Sequence, residues 1–122
     1  MKRKSNFLPI VLCLLSSGMV SAQAARTVTL TEKDMAKISL RVGRTTVLSF
    51  PMKPAKVILG NPGAFAIEYV ENDLAIAPLQ PKGRTNLFVY LEGRRFSFDL
   101  EASEGKADEI VLIRDAIPVK RK

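Results

Sequence analysis

From residue 26 onward, turn-forming residues recur at short intervals and leave room only for brief extended segments. Between the turns, apolar and polar side chains alternate, as in Ile38–Val42, and no stretch keeps the spacing of an amphipathic helix. Many short strands separated by turns are typical of a sandwich or barrel. The pattern predicts an all-β protein: a small β-sandwich of about seven to eight short strands over residues 25–117, after a cleaved signal peptide.

The clearest hairpin is predicted towards the end of this domain. Thr85–Leu91 is apolar on both faces, as expected of a central sandwich strand, and Glu92–Gly93 supplies a two-residue turn. Arg94–Ala102 then alternates between apolar and polar side chains. Because both faces of the first strand favour burial, Phe88 and Tyr90 form a candidate docking surface for a protein partner, with burial by a second layer of the fold as the alternative.

Residues 1–24 show the three regions of a secretory signal peptide. Residues 2–4 are basic, Phe7–Val20 is an apolar stretch of 14 residues, and Ala22-Gln23-Ala24 fits the small-residue rule for signal peptidase. A membrane anchor is the alternative, but a spanning helix needs about 20 apolar residues. We therefore expect cleavage after Ala24 or two residues earlier, a periplasmic location, and no transmembrane span after signal cleavage.

The net charge of +7 is concentrated at the two ends of the chain. Three basic residues lie in the predicted signal peptide and three at positions 120–122, so residues 25–119 keep 13 basic and 12 acidic residues. A nucleic-acid-binding domain needs a positive excess on its folded surface. We therefore expect no nucleic-acid partner and interpret residues 118–122 as a solvated basic tail, with a weak contact to anionic lipid or a protein as the alternative.

The residue inventory argues against an enzyme. The chain has no His, and its single Cys, Cys13, lies in the apolar part of the predicted signal peptide, which removes Ser-His and Cys-His catalysis and thiolate metal sites. Ser103-Glu104-Gly105-Lys106 matches a Ser-x-x-Lys motif, but it lies between predicted strands and lacks the companion motifs. The acidic residues lack the density of a cation-binding loop. We predict no catalytic site, no metal and no cofactor.

Two sets of motifs resemble bacterial envelope proteins. Ile38–Gly43, Val47–Pro51 and Ala55–Pro62 are similar to the strands and the Val-Gly and Val-Gly-Asn-Pro turns in the N-terminal domain of pilus-assembly secretins of the tight-adherence (Flp) pilus, the CpaC/RcpA type. Leu74–Pro78 and Pro81–Val89 resemble a later stretch of that domain, although Lys82 stands where the family usually has Pro.

A second family shares part of this pattern. The strand that begins with Thr85-Asn86-Leu87, followed by Glu92–Leu100, resembles the N-terminal β-domain of the TrbG/TraK-like outer-membrane-core subunits of type IV secretion systems. Both resemblances rest on turns and strands, which specify a fold better than an activity. The residues alone do not choose between the two families.

The resemblance implies a non-enzymatic periplasmic assembly or scaffold domain of a bacterial pilus or secretion system. Its protein partner would be a secretin or a secretion-system core subunit, through which it would associate with the outer membrane. We expect docking on an edge strand, Val28–Leu30 or Glu109–Arg114, and self-association stays open. The alternative is a periplasmic β-sandwich that binds a small molecule or glycan, which requires a concave pocket with converging polar groups.

The motif residues are expected to be architectural. They shape tight reversals, supply conformations that a Cβ forbids, or bond to neighbouring backbone. These residues are Gly43, Gly60, Asn61, Pro62, Gly83, Thr85, Asn86 and Gly93.

Overall fold

Nine β-strands in two sheets make up the computed structural model, which describes residues 25–117. The strands are β1 (Ala25–Leu30), β2 (Met35–Leu40), β3 (Thr46–Ser49), β4 (Lys56–Leu59), β5 (Phe65–Val70), β6 (Asp73–Pro78), β7 (Gly83–Leu91), β8 (Arg94–Ala102) and β9 (Ile110–Asp115). No helix occurs between residues 25 and 117. The predicted all-β fold is confirmed, with one strand more than expected. The predicted signal peptide and basic tail lie outside the described residues.

The strand order brings the first and last strands of the domain together. The five-stranded sheet runs β1-β9-β3-β6-β5, and the four-stranded sheet runs β2-β8-β7-β4. β9 pairs in parallel with β1 and β3, and β2 pairs in parallel with β8. Val28–Leu30 lies at a sheet edge, as predicted. The prediction that Glu109–Arg114 forms an edge is wrong, because β9 is hydrogen-bonded on both sides.

The core lies between the two sheets and follows from the alternation of side chains along each strand. In β8, Phe96, Phe98 and Leu100 all point inward, as the sequence pattern predicts. Phe98 meets Phe50 edge to face, with ring centroids 6.0 Å apart and an interplanar angle of 80°. Each such buried side chain contributes about 1.5–3 kcal/mol to stability. The apolar side chains with no exposed surface are Ile38, Leu40, Leu48, Leu74, Ile76, Leu87, Val89, Phe98, Leu100 and Val111.

The loop between β8 and β9 ties three other strands together through Asp108. The Asp108 carboxylate accepts hydrogen bonds from Nε and Nη2 of Arg26, at 2.9 and 3.1 Å, and from the Ser39 N–H at 2.9 Å. The Asp108 N–H donates to the Ser39 carbonyl at 2.9 Å, and the Asp108 carbonyl accepts a bond from the buried Thr46 hydroxyl at 2.6 Å. Because Arg26 and Thr46 belong to one sheet and Ser39 to the other, Asp108 joins the two layers.

A second arginine–aspartate pair links the sheets at the far end of β9. Arg94, at the start of β8, donates from Nε and Nη2 to the two carboxylate oxygens of Asp115, at 2.8 and 2.7 Å. The Arg94 guanidinium also lies 5.9 Å from the centre of the Phe96 ring. The sandwich is therefore held at both ends by a two-point ion pair, the geometry in which arginine binds carboxylate most strongly.

Substitution of Asp108 by Ala should destabilise the fold more than substitution of any exposed acid nearby. We expect the free energy of unfolding to fall by about 2–4 kcal/mol, because the change removes bonds to a charged group and leaves the Ser39 N–H without its side-chain partner. Urea denaturation measures this loss. Glu104→Ala is the matched control, since Glu104 is an exposed acid in the same loop with no ion pair within residues 25–117. Equal losses in the two variants would contradict the role of Asp108.

Stability should also fall in acid. Burial raises the pKa of the Asp108 carboxyl, but hydrogen bonds from Arg26 and Ser39 outweigh burial and hold this pKa below its ordinary value. Near pH 4, the folded protein therefore binds fewer protons than the unfolded chain. The stabilisation by Asp108 is complete above the ordinary pKa of an aspartate carboxyl, and it is lost as pH falls through the lower pKa that Asp108 has in the folded protein. Melting temperatures measured between pH 6 and about pH 3 should drop, and Asp108→Ala should drop less. A variant as acid-sensitive as the wild type would argue against this assignment.

Candidate functional site

An apolar row crosses the outer face of the four-stranded sheet. Phe88 lies opposite Ile58 on one side and Ser97 on the other, and Ser97 lies opposite Met35. The side chains of Met35 and Ile58 are 53% and 43% exposed, and Phe88 is half-buried between them. The row crosses four strands that lie about 4.8 Å apart, so it is about 14 Å long. We call Met35, Phe88 and Ile58 the apolar row.

Two cations flank this row on one side. Tyr90, the second predicted docking residue, is half-buried on the same face and lies opposite Lys56 and Arg95. Neither Lys56 nor Arg95 forms an ion pair with any residue from 25 to 117. The structure thus places both predicted docking residues on one face, beside two cations that form no ion pair within residues 25–117.

The charges on the other side of the row neutralise one another. Lys37 lies 2.8 Å from Glu101, and Arg84 donates to both carboxylate oxygens of Asp99, at 3.2 and 2.8 Å. The hydrogen bond from Arg84 lowers the pKa of Asp99, and the hydrogen bond from Lys37 lowers the pKa of Glu101. Both acids are therefore ionised at neutral pH and already paired, so this side of the face offers little net charge to a partner.

Three of the predicted motif residues come together where β4 ends beside β7. The Gly60 N–H donates to the Asn86 carbonyl at 3.0 Å. A Cβ at Gly60 would lie 2.5 Å from the Asn86 side-chain oxygen and 2.6 Å from the Thr85 hydroxyl. Gly60 is therefore required by close approach, and the motif supports the end of the strand that carries Ile58.

The other motif residues occupy turns or a strand start. Gly43 and Gly93 have φ angles of 86° and 75°, in the region that favours glycine. The Asn61 carbonyl accepts a hydrogen bond from the Ala64 N–H at 3.2 Å, which closes the turn that contains Pro62. Gly83 begins β7 opposite Ala102. None of these residues lies within the apolar row.

A cleft opens between the sheets at the Arg94–Asp115 end. Its volume is about 640 Å³, and apolar side chains such as Phe50, Met52 and Phe96 form much of its wall. Arg94 and Asp115 lie on its wall but bond to each other. The cleft therefore has largely apolar walls, with Ser49 and Arg114 as its further polar residues.

No catalytic arrangement emerges from the residues that sequence analysis considered. The Ser103 hydroxyl accepts a hydrogen bond from the Gly105 N–H at 3.2 Å, so the Ser-x-x-Lys segment contains a local turn. Within residues 25–117, no three acidic, Cys or His residues form a group that could hold a metal ion. Asp99 pairs with Arg84, and Glu101 pairs with Lys37.

Sequence reasoning missed Met35, Ile58, Lys56 and Arg95 as parts of a common surface. Ile58 carried a signal, because alternation along a strand places Val57 and Leu59 on one face and Ile58 on the other. Met35 gave no such signal. The row depends on how β2, β8, β7 and β4 are aligned, which single-strand patterns do not specify.

Comparisons with known proteins identify no relative: no protein-family model matches the chain, and no curated protein matches it. The resemblance to secretin and type IV secretion domains stays a prediction from the motifs. Among residues 25–117, no helix is long and apolar enough to cross a membrane.

The close approach at Gly60 predicts that Gly60→Ala is destabilising. We expect a loss of about 1 kcal/mol, because the new methyl group must displace the ends of two side chains that can partly move. Gly105→Ala is the control, since its Cβ would meet only the Ser103 hydroxyl, at 3.7 Å. Chemical denaturation of both variants measures the difference. A control variant as unstable as Gly60→Ala would show that close packing is not the cause.

Proposed function

We propose that this protein is an exported, non-enzymatic scaffold domain that binds a protein partner through the apolar row. The observation that carries the proposal is the row of exposed Met35, half-buried Phe88 and exposed Ile58, beside two cations without an ion pair in residues 25–117. Aromatic and aliphatic anchors surrounded by polar groups are typical of protein interfaces. The paired charges of Lys37, Glu101, Arg84 and Asp99 would then form the polar rim.

The proposed partner and location come from the sequence. The predicted signal peptide supports a periplasmic location, and the motif resemblance supports a secretin or a type IV secretion core subunit as the partner. A pilus or secretion complex would hold the domain near the outer membrane through that subunit. The unpaired Lys56 and Arg95 favour a partner segment that places a carboxylate next to its apolar contacts.

Site-specific photocrosslinking in the native cell envelope tests this proposal. A photoreactive phenylalanine at Met35 should form an adduct with a secretin or secretion-core subunit, identified by mass spectrometry. Adding Ile58→Asp should reduce the adduct about tenfold, because a desolvated charge in an apolar interface costs more than 1 kcal/mol.

Thr27 provides the matched control, because it is exposed on the other sheet, in β1. The photoreactive residue at Thr27 should give no adduct with the same subunit, and Thr27→Asp should leave the Met35 adduct unchanged. Equal labelling from both sites, or adducts at Met35 that contain no assembly subunit, would overturn the proposal.

The cleft beside Arg94 and Asp115 favours a second candidate function, the binding of a small molecule. Its apolar walls, including Phe50, Met52 and Phe96, suit an apolar compound better than a glycan. The apolar row is the better-supported site, because both predicted docking residues, Phe88 and Tyr90, lie on its face and neither lines the cleft.

A further inference from the structure

The strand β5 ends the five-stranded sheet with one open side. β5 pairs with β6 along its other side. Just before β5, the Leu79 N–H donates a hydrogen bond to the Ala64 carbonyl at 2.9 Å, which shows which residues of β5 bond towards β6. Since the direction of backbone groups alternates along an antiparallel pair, Ala66, Glu68 and Val70 bond towards β6. The N–H and C=O groups of the intervening residues in β5 therefore point away from the sheet, and none has a partner within residues 25–117.

The edges of the other sheet are protected, in contrast to β5. On the free side of β2, Arg26 donates to the Lys37 carbonyl at 3.0 Å, and Asp108 binds both backbone groups of Ser39. β4 has only four residues and begins just after Pro54. Short strands, prolines and covered backbone groups are the usual defences against edge-to-edge pairing. β5 has six residues and contains neither Pro nor Lys.

We propose that β5 pairs with β5 of a second copy of this chain, antiparallel and with the two-fold axis at Ile67. In this register Ile67 faces the partner's Ile67, and Phe65 faces the partner's Tyr69. These pairs use every outward backbone group of the strand, with two hydrogen bonds per pair. The product is a continuous sheet through both subunits. The proposal is independent of the partner bound by the apolar row, because β5 lies in the other sheet.

Charge selects this register over its neighbours. With the axis at Ile67, Glu68 lies opposite the partner's Ala66, so no like charges lie directly opposite each other on the outer face. An axis at Glu68 would place Glu68 directly opposite the partner's Glu68, which is destabilising. An axis at Ala66 would pair Tyr69 with the partner's Gly63, which lies outside the strand. The side chain of Tyr69 is 50% exposed in the single chain and would be partly covered by the partner.

Substitutions at position 66 test this register, because a negative and a positive side chain there should change the affinity of the dimer in opposite directions. Ala66 is exposed and adjoins no charged residue on β6, so substitution there should leave the fold intact. Sedimentation of the purified protein over a concentration series should show a monomer–dimer equilibrium. Ala66→Glu should weaken the dimer about tenfold, because it faces the partner's Glu68 twice, and Ala66→Lys should strengthen it by a similar factor.

The double variant Ala66→Glu with Glu68→Lys should restore dimerisation, since each new glutamate then faces a lysine. Thr27→Glu is the control, because it adds the same charge at the opposite edge of the same sheet. A wild-type protein that stays monomeric at its highest soluble concentration would overturn the proposal. So would a dimer that responds equally to Glu and Lys at position 66, or that the double variant does not restore.

Discussion

The carboxylate of Asp108 is the contact on which the arrangement of the strands depends. It lies in the loop that leads into β9, and it bonds to Arg26 of β1 and Ser39 of β2 while its backbone carbonyl holds Thr46 of β3. A charged group with several donors is stable at this half-buried position because each oxygen is satisfied. The same bonds that join the two sheets also cover the free side of β2.

The edges of the two sheets differ in whether their outward backbone groups have hydrogen-bond partners. On one side of the sandwich, where β1 and β2 lie near each other, Arg26 and Asp108 bond to the backbone of β2. The opposite side ends in β5, whose outward backbone groups have no partner within residues 25–117. The apolar row lies on the outer face of the other sheet. A copy paired through β5 would therefore leave the apolar row accessible, so that self-association and partner binding use different sheets.

The hairpin of β7 and β8 shows why the core and the candidate surface arise from the same residues. Along β7, Leu87 and Val89 are buried in the core, while Phe88 and Tyr90 alternate with them on the outer face. Two-layer folds normally solvate such an outer face with polar residues. Here three of the four outer positions in one row are apolar, and Ser97 is the fourth. Within residues 25–117, the inner residues pack in the core, whereas no further layer covers the outer ones, which is why they suit an intermolecular role.

Most of the strands could be predicted from the chain because alternation and turn residues act locally. The inward direction of Phe96 and Phe98 follows from a period of two along a single strand. The neighbours of each strand could not be predicted in this way. Glu109–Arg114 appeared to be an edge because it ends the domain, yet the parallel pairing of β9 with β1 and β3 places it inside a sheet.

The sequence by itself therefore determined the all-β class, the positions of most turns and the buried side of β8. Only the tertiary structure decided that Met35 and Ile58 lie in line with Phe88, that Lys56 and Arg95 lack ion-pair partners in the described chain, and that β5 has an open side. The physical reason is that hydrophobic alternation is a property of one strand, whereas strand order and register depend on contacts between residues far apart in the chain.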